Sequence, residues 1–400
     1  MSRVLLHVGT PKTGTSFLQD VLFRNRESLR EQGILYPADR FDEHFLAALD
    51  LLELRWGGLE AGAVGAWDRL AERVRDWPGT AIVSHEILAT ASRAQAARAL
   101  ASFGDAEVHL VLSARDLARQ IPAEWQENVK HRRTVGYHDF LEKITAPERS
   151  GELASWFWGA QEVPDILERW GARLPADRIH VVTVPPRDAP RDLLWKRFAG
   201  VFGLDLATLH PSSERFNPSL GVPETALVRR INERVNHGVL PNEDYRQFVR
   251  ELLAHGTLSQ RSGTSRIGLP DDVRRWAAEL SESWVEALSA KGYDVVGDLT
   301  ELRPGPADAA YVDPDEPDET LVADAALTSI VALLKESARL SHVERDLRQE
   351  LVATQAALER GERLMFRFKR RLVAAAETNR AAAVGLRTYR WMRDNSSRSA

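Results

Sequence analysis

Cysteine is missing altogether from this 400-residue chain. That excludes a disulfide framework, a zinc–thiolate or iron–sulfur site and a cysteine nucleophile. A basic excess is missing too. The 53 Lys and Arg are outnumbered by 58 Asp and Glu, for a net charge of −5, which argues against a nucleic-acid partner. No run approaches the roughly 20 apolar residues that span a bilayer; the nearest, Ala325–Leu334, is too short. The opening MSRVLLHVGT has neither the apolar core nor the small-residue cleavage site of a secretory signal. Together these absences predict a cytoplasmic protein. Lysine is scarce as well, with only seven among the basic residues, so a lysine in a loop stands out.

What is present is ordinary for a globular chain: 44% apolar and 28% charged residues. Val4–Val8, Ala81–Ser84, Val108–Leu112 and Ile179–Val184 are short, non-alternating apolar runs that predict buried strands. Between them Ser16–Gln32, Ala66–Trp77, Ala94–Phe103, Ala118–His131 and Val163–Arg173 carry helical periodicity. Alternation of this kind predicts an α/β fold, a three-layer arrangement around a central parallel sheet. A more helical stretch, Pro223–Lys291, ends in an apolar run around Val296.

Composition changes after residue 303. Pro304–Glu319 has four prolines and many acids and predicts an exposed linker. Residues 320–400 predict a helical extension. Leu340, Val343, Leu347, Leu351, Thr354 and Leu358 recur three or four apart, a partial coiled-coil seam that Glu350 and Gly361 interrupt. Such a seam predicts a homo-oligomer formed through this helix. The last 40 residues carry ten Lys or Arg against three acids. Arg363–Arg371, with its interleaved apolar side chains, has the character of a membrane-surface segment, although a solvated helix or self-association face accounts for it better.

The most informative segment is Val8-Gly9-Thr10-Pro11-Lys12-Thr13-Gly14-Thr15-Ser16. It follows the first predicted strand and opens the first long helix. Free backbone amides and the positive end of the helix dipole converge there. Gly9 and Gly14 allow a tight bend, Thr13, Thr15 and Ser16 add hydroxyl donors, and Lys12 adds a mobile charge. The two glycines have the spacing of the nucleoside-triphosphate loop, but Thr15 stands where that loop carries its lysine. This displacement argues against a kinase and for a single phosphate in the cradle.

P-K-T-G-T-S after a first strand resembles the 5′-phosphosulfate-binding loop of the sulfotransferases, whose donor is 3′-phosphoadenosine 5′-phosphosulfate (PAPS). The resemblance covers residues 1–303 and implies a phosphate-loop fold. It implies that Pro11, Lys12, Thr13, Gly14, Thr15 and Ser16 hold the 5′-phosphate, with Lys12 also on the bridging oxygen. It further implies an arginine after a buried strand and a serine eight positions on, both gripping the 3′-phosphate. Arg115 fits the first position; Ala123 occupies the second and cannot donate. Arg119, Gln120 or Gln126 on the same helix would then replace it. Arg215–Leu220 also resembles a recurrent segment of these enzymes, without an assigned role.

The base belongs at the end of a neighbouring strand. Ser84-His85-Glu86 ends one, and its S-x-E pattern resembles the carbohydrate-directed bacterial members, which favours Glu86 with His85 as the alternative. Adjacent strand residues alternate in direction, so one of the two is expected to face the donor. No metal is implied. The cluster Trp156, Phe157 and Trp158 is a candidate acceptor platform, although core packing is the commoner use of such residues, and the loop Ser259–Arg266 is a candidate cover for the 3′-phosphate. The expected activity is sulfuryl transfer from PAPS to a hydroxyl of a carbohydrate or glycolipid, and the alternative is a non-catalytic scaffold that kept the fold.

Overall fold

The computed structural model describes residues 2–212, 219–235, 238–306, 310–378 and 384–385. Six strands form one all-parallel sheet. They are β1 (Arg3–His7), β2 (Ile34–Leu35), β3 (Thr80–Ser84), β4 (Glu107–Ala114), β5 (Ile179–Thr183) and β6 (Asp294–Val296). Their order is β2-β3-β1-β4-β5-β6. Leu6 of β1 lies between Val83 of β3 and Leu110 of β4. The chain therefore starts mid-sheet, jumps to the edge at β2, fills the gap with β3, then crosses back over β1 to build outward on the other side. That reversal opens a crevice beyond the C-terminal end of β1, the usual ligand position in open α/β sheets.

Helices cover both faces. Leu5, Ile82, Val111 and Val182 point to one face. They pack there against Leu18, Val21 and Leu22 of the Thr15–Arg24 helix and Trp195, Phe198 and Phe202 of the Leu193–Phe202 helix. Each such fully buried side chain contributes about 1.5–3 kcal/mol. On the other face the Val163–Gly171 helix presses so close that a Cβ on Gly171 would lie 2.6 Å from Ile179 Cδ1. All four expected strands are present.

Three differences from the sequence reading have local causes. The edge strands β2 and β6 have two and three residues, too few to carry a pattern. The expected Ser16–Gln32 helix is two, Thr15–Arg24 and Arg26–Glu31, broken at buried Asn25. The Asn25 side chain donates to Val21 O at 2.8 Å and His210 O at 3.0 Å and accepts from His210 N at 2.9 Å. The acidic segment after residue 303 is not wholly exposed, because Pro314 and Pro317 are buried. Asp315 accepts from His138 N at 2.9 Å, and Asp313 lies 3.0 Å from the His138 ring.

The described chain divides into two compact units, Met1–Ile330 and Val331–Ala400. The helix Glu319–Thr378 begins in the first, where Arg230 holds Glu319 and Arg261 holds Asp324. Within the second unit Leu340, Val343, Leu347, Leu351 and Leu358 are all exposed, as are Leu364, Met365, Phe366 and Phe368. No helix among the described residues is long and apolar enough to cross a membrane.

Candidate functional site

The loop after β1 is framed from both flanking strands. Val8 N donates to Val111 O at 3.1 Å, Thr10 N to Ser113 O at 2.9 Å and Ser113 N to Gly9 O at 2.6 Å. Gly9 has φ 119°, and a Cβ there would lie 2.8 Å from Glu86 O. Only glycine allows that approach. Lys12 is left-handed at φ 65° and Gly14 at φ 89°, so the chain curls before it enters the helix.

That helix start is bare. Its first backbone bond runs from Leu18 N to Gly14 O at 3.1 Å, no side chain caps it and its first turn holds no acid. The amides of Thr15, Ser16 and Phe17 therefore have no intrahelical partner, and the dipole favours an anion there.

Beneath the loop lies a small polar network. His7 and Ser84 end β1 and β3, Ser113 is the last but one residue of β4, and all three share one face and are fully buried. The His7 ring lies 2.8 Å from Ser84 Oγ and 3.3 Å from Ser113 Oγ. Ser113 Oγ donates to Gly9 O at 2.9 Å and also meets Thr13 Oγ1, which donates to Thr10 O at 2.6 Å. Burial pushes the His7 pKa down to about 4 despite Glu86, so the ring is neutral. The loop thus stands on an uncharged, hydrogen-bonded base.

The crevice opens into a cleft of about 2980 Å³. Pro11, Lys12, Gly14, Thr15, Ser16 and Arg115 all line it. So do both His85 and Glu86, against the expectation that one would turn away. The reason is that they lie past the end of β3, in a 3₁₀ turn. His85 caps that turn: Ile87 N donates to its Nδ1 at 3.3 Å. Nδ1 as acceptor places the neutral ring's proton on Nε2, 4.0 Å from Glu86 Oε2. Gln19 Nε2 donates to the same carboxylate oxygen at 2.8 Å. Burial raises the Glu86 pKa, but His85, its own amide, Gln19 and Lys12 outweigh it, and the carboxyl sits below its ordinary value. Burial lowers the His85 pKa against the opposing pull of Glu86.

Three residues from the sequence reading, Thr13, Arg119 and Gln120, do not line the cleft. Thr13 is 1% exposed, its hydroxyl spent inside the loop. Arg119 is tied to Asp116, to Pro185 O at 2.9 Å and to Val184 O at 3.3 Å, and it braces the β5 exit. Gln120 is held by Pro11 O and Gln161, and Gln126 donates to Leu220 O at 2.6 Å. Ala123 does line the cleft, and so does Gln126, whose amide nitrogen is engaged by Leu220 O. Arg115 Nη2 donates to Arg119 O at 2.7 Å, while its buried Nε has no partner among the described residues. Burial first, then Arg119, push the Arg115 pKa down to about 9. A guanidinium left short of partners in a cleft is fitted to an anion.

Sequence reasoning missed the acidic side of the loop. Lys12 Nζ is ion-paired with Glu127, which also lies 3.1 Å from His131 and 3.5 Å from Arg250. Burial raises the Glu127 pKa, yet Lys12 and His131 hold it well below the usual range. Glu124 is 5% exposed, and burial lifts its pKa to about 7 despite Lys12. The signal was there: Glu124, Glu127 and His131 recur at three and four residues on one helix face. The candidate cover Ser259–Arg266 does not line the cleft, because Arg261 is anchored to Glu224 at 2.7 Å and Asp324 at 2.9 Å. Of the Arg215–Leu220 segment, residues 215–218 lie outside the described residues. Of the aromatic cluster, Trp156 lines the cleft, half-buried, whereas Phe157 and Trp158 turn into the core.

Lysines and arginines number eleven among the cleft-lining residues, against eight Asp and Glu, a local basic surplus in an acidic chain. No family model, curated protein or solved structure matches the chain.

Proposed function

We propose that the chain is a sulfotransferase of phosphate-loop α/β type, moving a sulfuryl group from PAPS to an acceptor hydroxyl, carbohydrate or glycolipid. The observation that carries this reading is the bare helix start and curled Gly9–Ser16 loop, with its lysine at position 12, facing Glu86 and Arg115 across one crevice. The residues fit the donor at two points. Gly14 keeps the cradle open, since a Cβ there would lie 2.9 Å from Leu194 Cδ2. The orphaned Arg115 Nε awaits an acceptor.

In this scheme the amides of Thr15 and Ser16 bind the 5′-phosphate and Arg115 binds the 3′-phosphate. The acceptor oxygen forms a bond to sulfur while the bond from sulfur to the phosphate oxygen breaks. Lys12 neutralises charge growing on that departing oxygen. The acceptor's proton passes to Glu86. Glu86 is favoured over His85 because it is ionised and lines the cleft, whereas both His85 nitrogens are committed, one as acceptor and one as N–H. The product is 3′-phosphoadenosine 5′-phosphate.

A second reading, a scaffold without turnover, draws support from Ala123 and from the Lys12–Glu127 pair, which occupies the ammonium. A nucleotide kinase is disfavoured by Thr15. Calorimetry with 3′-phosphoadenosine 5′-phosphate separates them. Micromolar binding that Lys12→Ala weakens at least tenfold supports the transferase. Absence of heat at millimolar nucleotide removes it.

A further inference from the structure

The cleft is larger than a nucleotide needs: about 2980 Å³, against roughly 300–1,000 Å³ for an ordinary small-ligand pocket. A run of aromatic rings fills one wall of the remainder. It starts beside Glu86. The rings of His85 and Phe45 are 5.1 Å apart, Phe45 and Trp56 5.8 Å, and Trp56 and Trp156 5.9 Å. His131 flanks Trp56, also at 5.9 Å. All five line the cleft.

This is not core packing. Trp67, Trp125 and Trp170 are fully buried, while Phe45, Trp56 and Trp156 are only half-buried. Separate segments deliver the rings: the Glu43–Leu52 helix, the turn after it, the exit of β3 and the Glu152–Gln161 helix. The turn that carries Trp56 is fixed by Glu60, which accepts from Trp56 N at 2.8 Å and Gly58 N at 3.0 Å. A platform assembled this way presents flat faces to whatever enters. Cations accompany it. Lys143 lines the cleft without an ion-pair partner among the described residues. Its helix, Tyr137–Thr145, is pinned to the one bearing Trp156, where Trp158 Nε1 donates to Ile144 O at 2.9 Å.

We infer that this wall is a subsite for an anionic saccharide. A pyranose shows C–H groups on its faces and hydroxyls round its edge, so it can stack on Trp56 and Trp156 and still offer a hydroxyl toward Glu86. Carboxylate or sulfate substituents meet Lys143 and the basic lining. The subsite rests on the transferase reading only for which hydroxyl reacts.

The test uses the full chain, a fluorescently labelled chondroitin hexasaccharide and labelled maltohexaose as the neutral control. The anionic sugar is expected to bind at least tenfold more tightly. Trp56→Ala and Trp156→Ala should each weaken it about five- to tenfold, with Trp56→Phe and Trp156→Phe restoring most of the loss. Lys143→Ala should flatten its salt dependence. Equal binding of the two sugars, or anionic binding indifferent to both tryptophans, overturns the subsite. Titration with 3′-phosphoadenosine 5′-phosphate runs alongside and should be unchanged in the tryptophan variants. If the nucleotide does not bind the parent chain while the saccharide pattern holds, the donor reading falls and the subsite stands. The reverse pattern removes the subsite alone.

Discussion

Glu86 and His7 sit a few residues beyond or at the end of neighbouring strands, yet their surroundings give them opposite uses. Glu86 is ionised, half-covered and open to the cleft. Changing it to glutamine keeps the hydrogen bond with Gln19 but cannot take a proton. Glu86→Gln is expected to lower kcat at least 100-fold while nucleotide affinity stays within twofold, read by turnover and calorimetry together. The acid limb of kcat/KM should fall below the ordinary glutamate value of 4.5, the direction in which the Glu86 pKa is shifted; a limb above 4.5 and below the ordinary histidine value of 6.5 would transfer the role to His85. His7, by contrast, is sealed and neutral. Its folded pKa of about 4 lies below the ordinary 6.5, so between those values the unfolded chain holds more protons. Stability is therefore full above pH 6.5 and falls as pH drops toward 4, by on the order of 3 kcal/mol from this group. His44, lowered to about 3 by burial and by His85, acts in the same direction. Urea midpoints taken from pH 7 to pH 4 measure the slope, and His7→Gln should flatten it.

Among the elements, the strands were legible because parallel, doubly covered strands are short apolar runs, and Val4–Val8 or Val108–Leu112 need no partner to be recognised. The loop was legible because glycine, lysine and hydroxyl residues at a strand–helix junction have few other uses. What could not be read was tertiary. The Asn25 break depends on His210, far along the chain. The bracing of Arg119 depends on carbonyls at the exit of β5. The acidic face of the Leu117–Lys130 helix acquires its meaning only when the fold sets it against Lys12. The same holds for Ser113, a small polar residue near the end of an apolar strand whose hydroxyl joins Gly9, Thr13 and His7. Ser113→Ala leaves those partners short of a bond. It is expected to cost about 1–3 kcal/mol, seen as a lower denaturant midpoint at unchanged m-value, and to weaken nucleotide binding through a looser loop.

For the whole molecule, the compact unit ends at Ile330 rather than at the composition change after residue 303. The segment between is held by His138, Arg230 and Arg261. A chain ending at Ile330 should keep the nucleotide affinity and melting temperature of the full protein. One ending at Leu302 should melt several degrees lower, having lost those anchors. Light scattering on the full chain and on the Ile330 form tests whether the exposed apolar residues from Leu340 onward assemble copies; equal monomeric masses would leave the helix without that role. The strand order carries a further consequence, for synthesis. The loop is complete in sequence by Ser16, but Val111 and Ser113, which fix its amide positions, leave the ribosome about a hundred residues later. Until β4 slots in beside β1, a growing polypeptide carries this bend unframed on one side, so its geometry is set in one step, when β4 docks, rather than gradually.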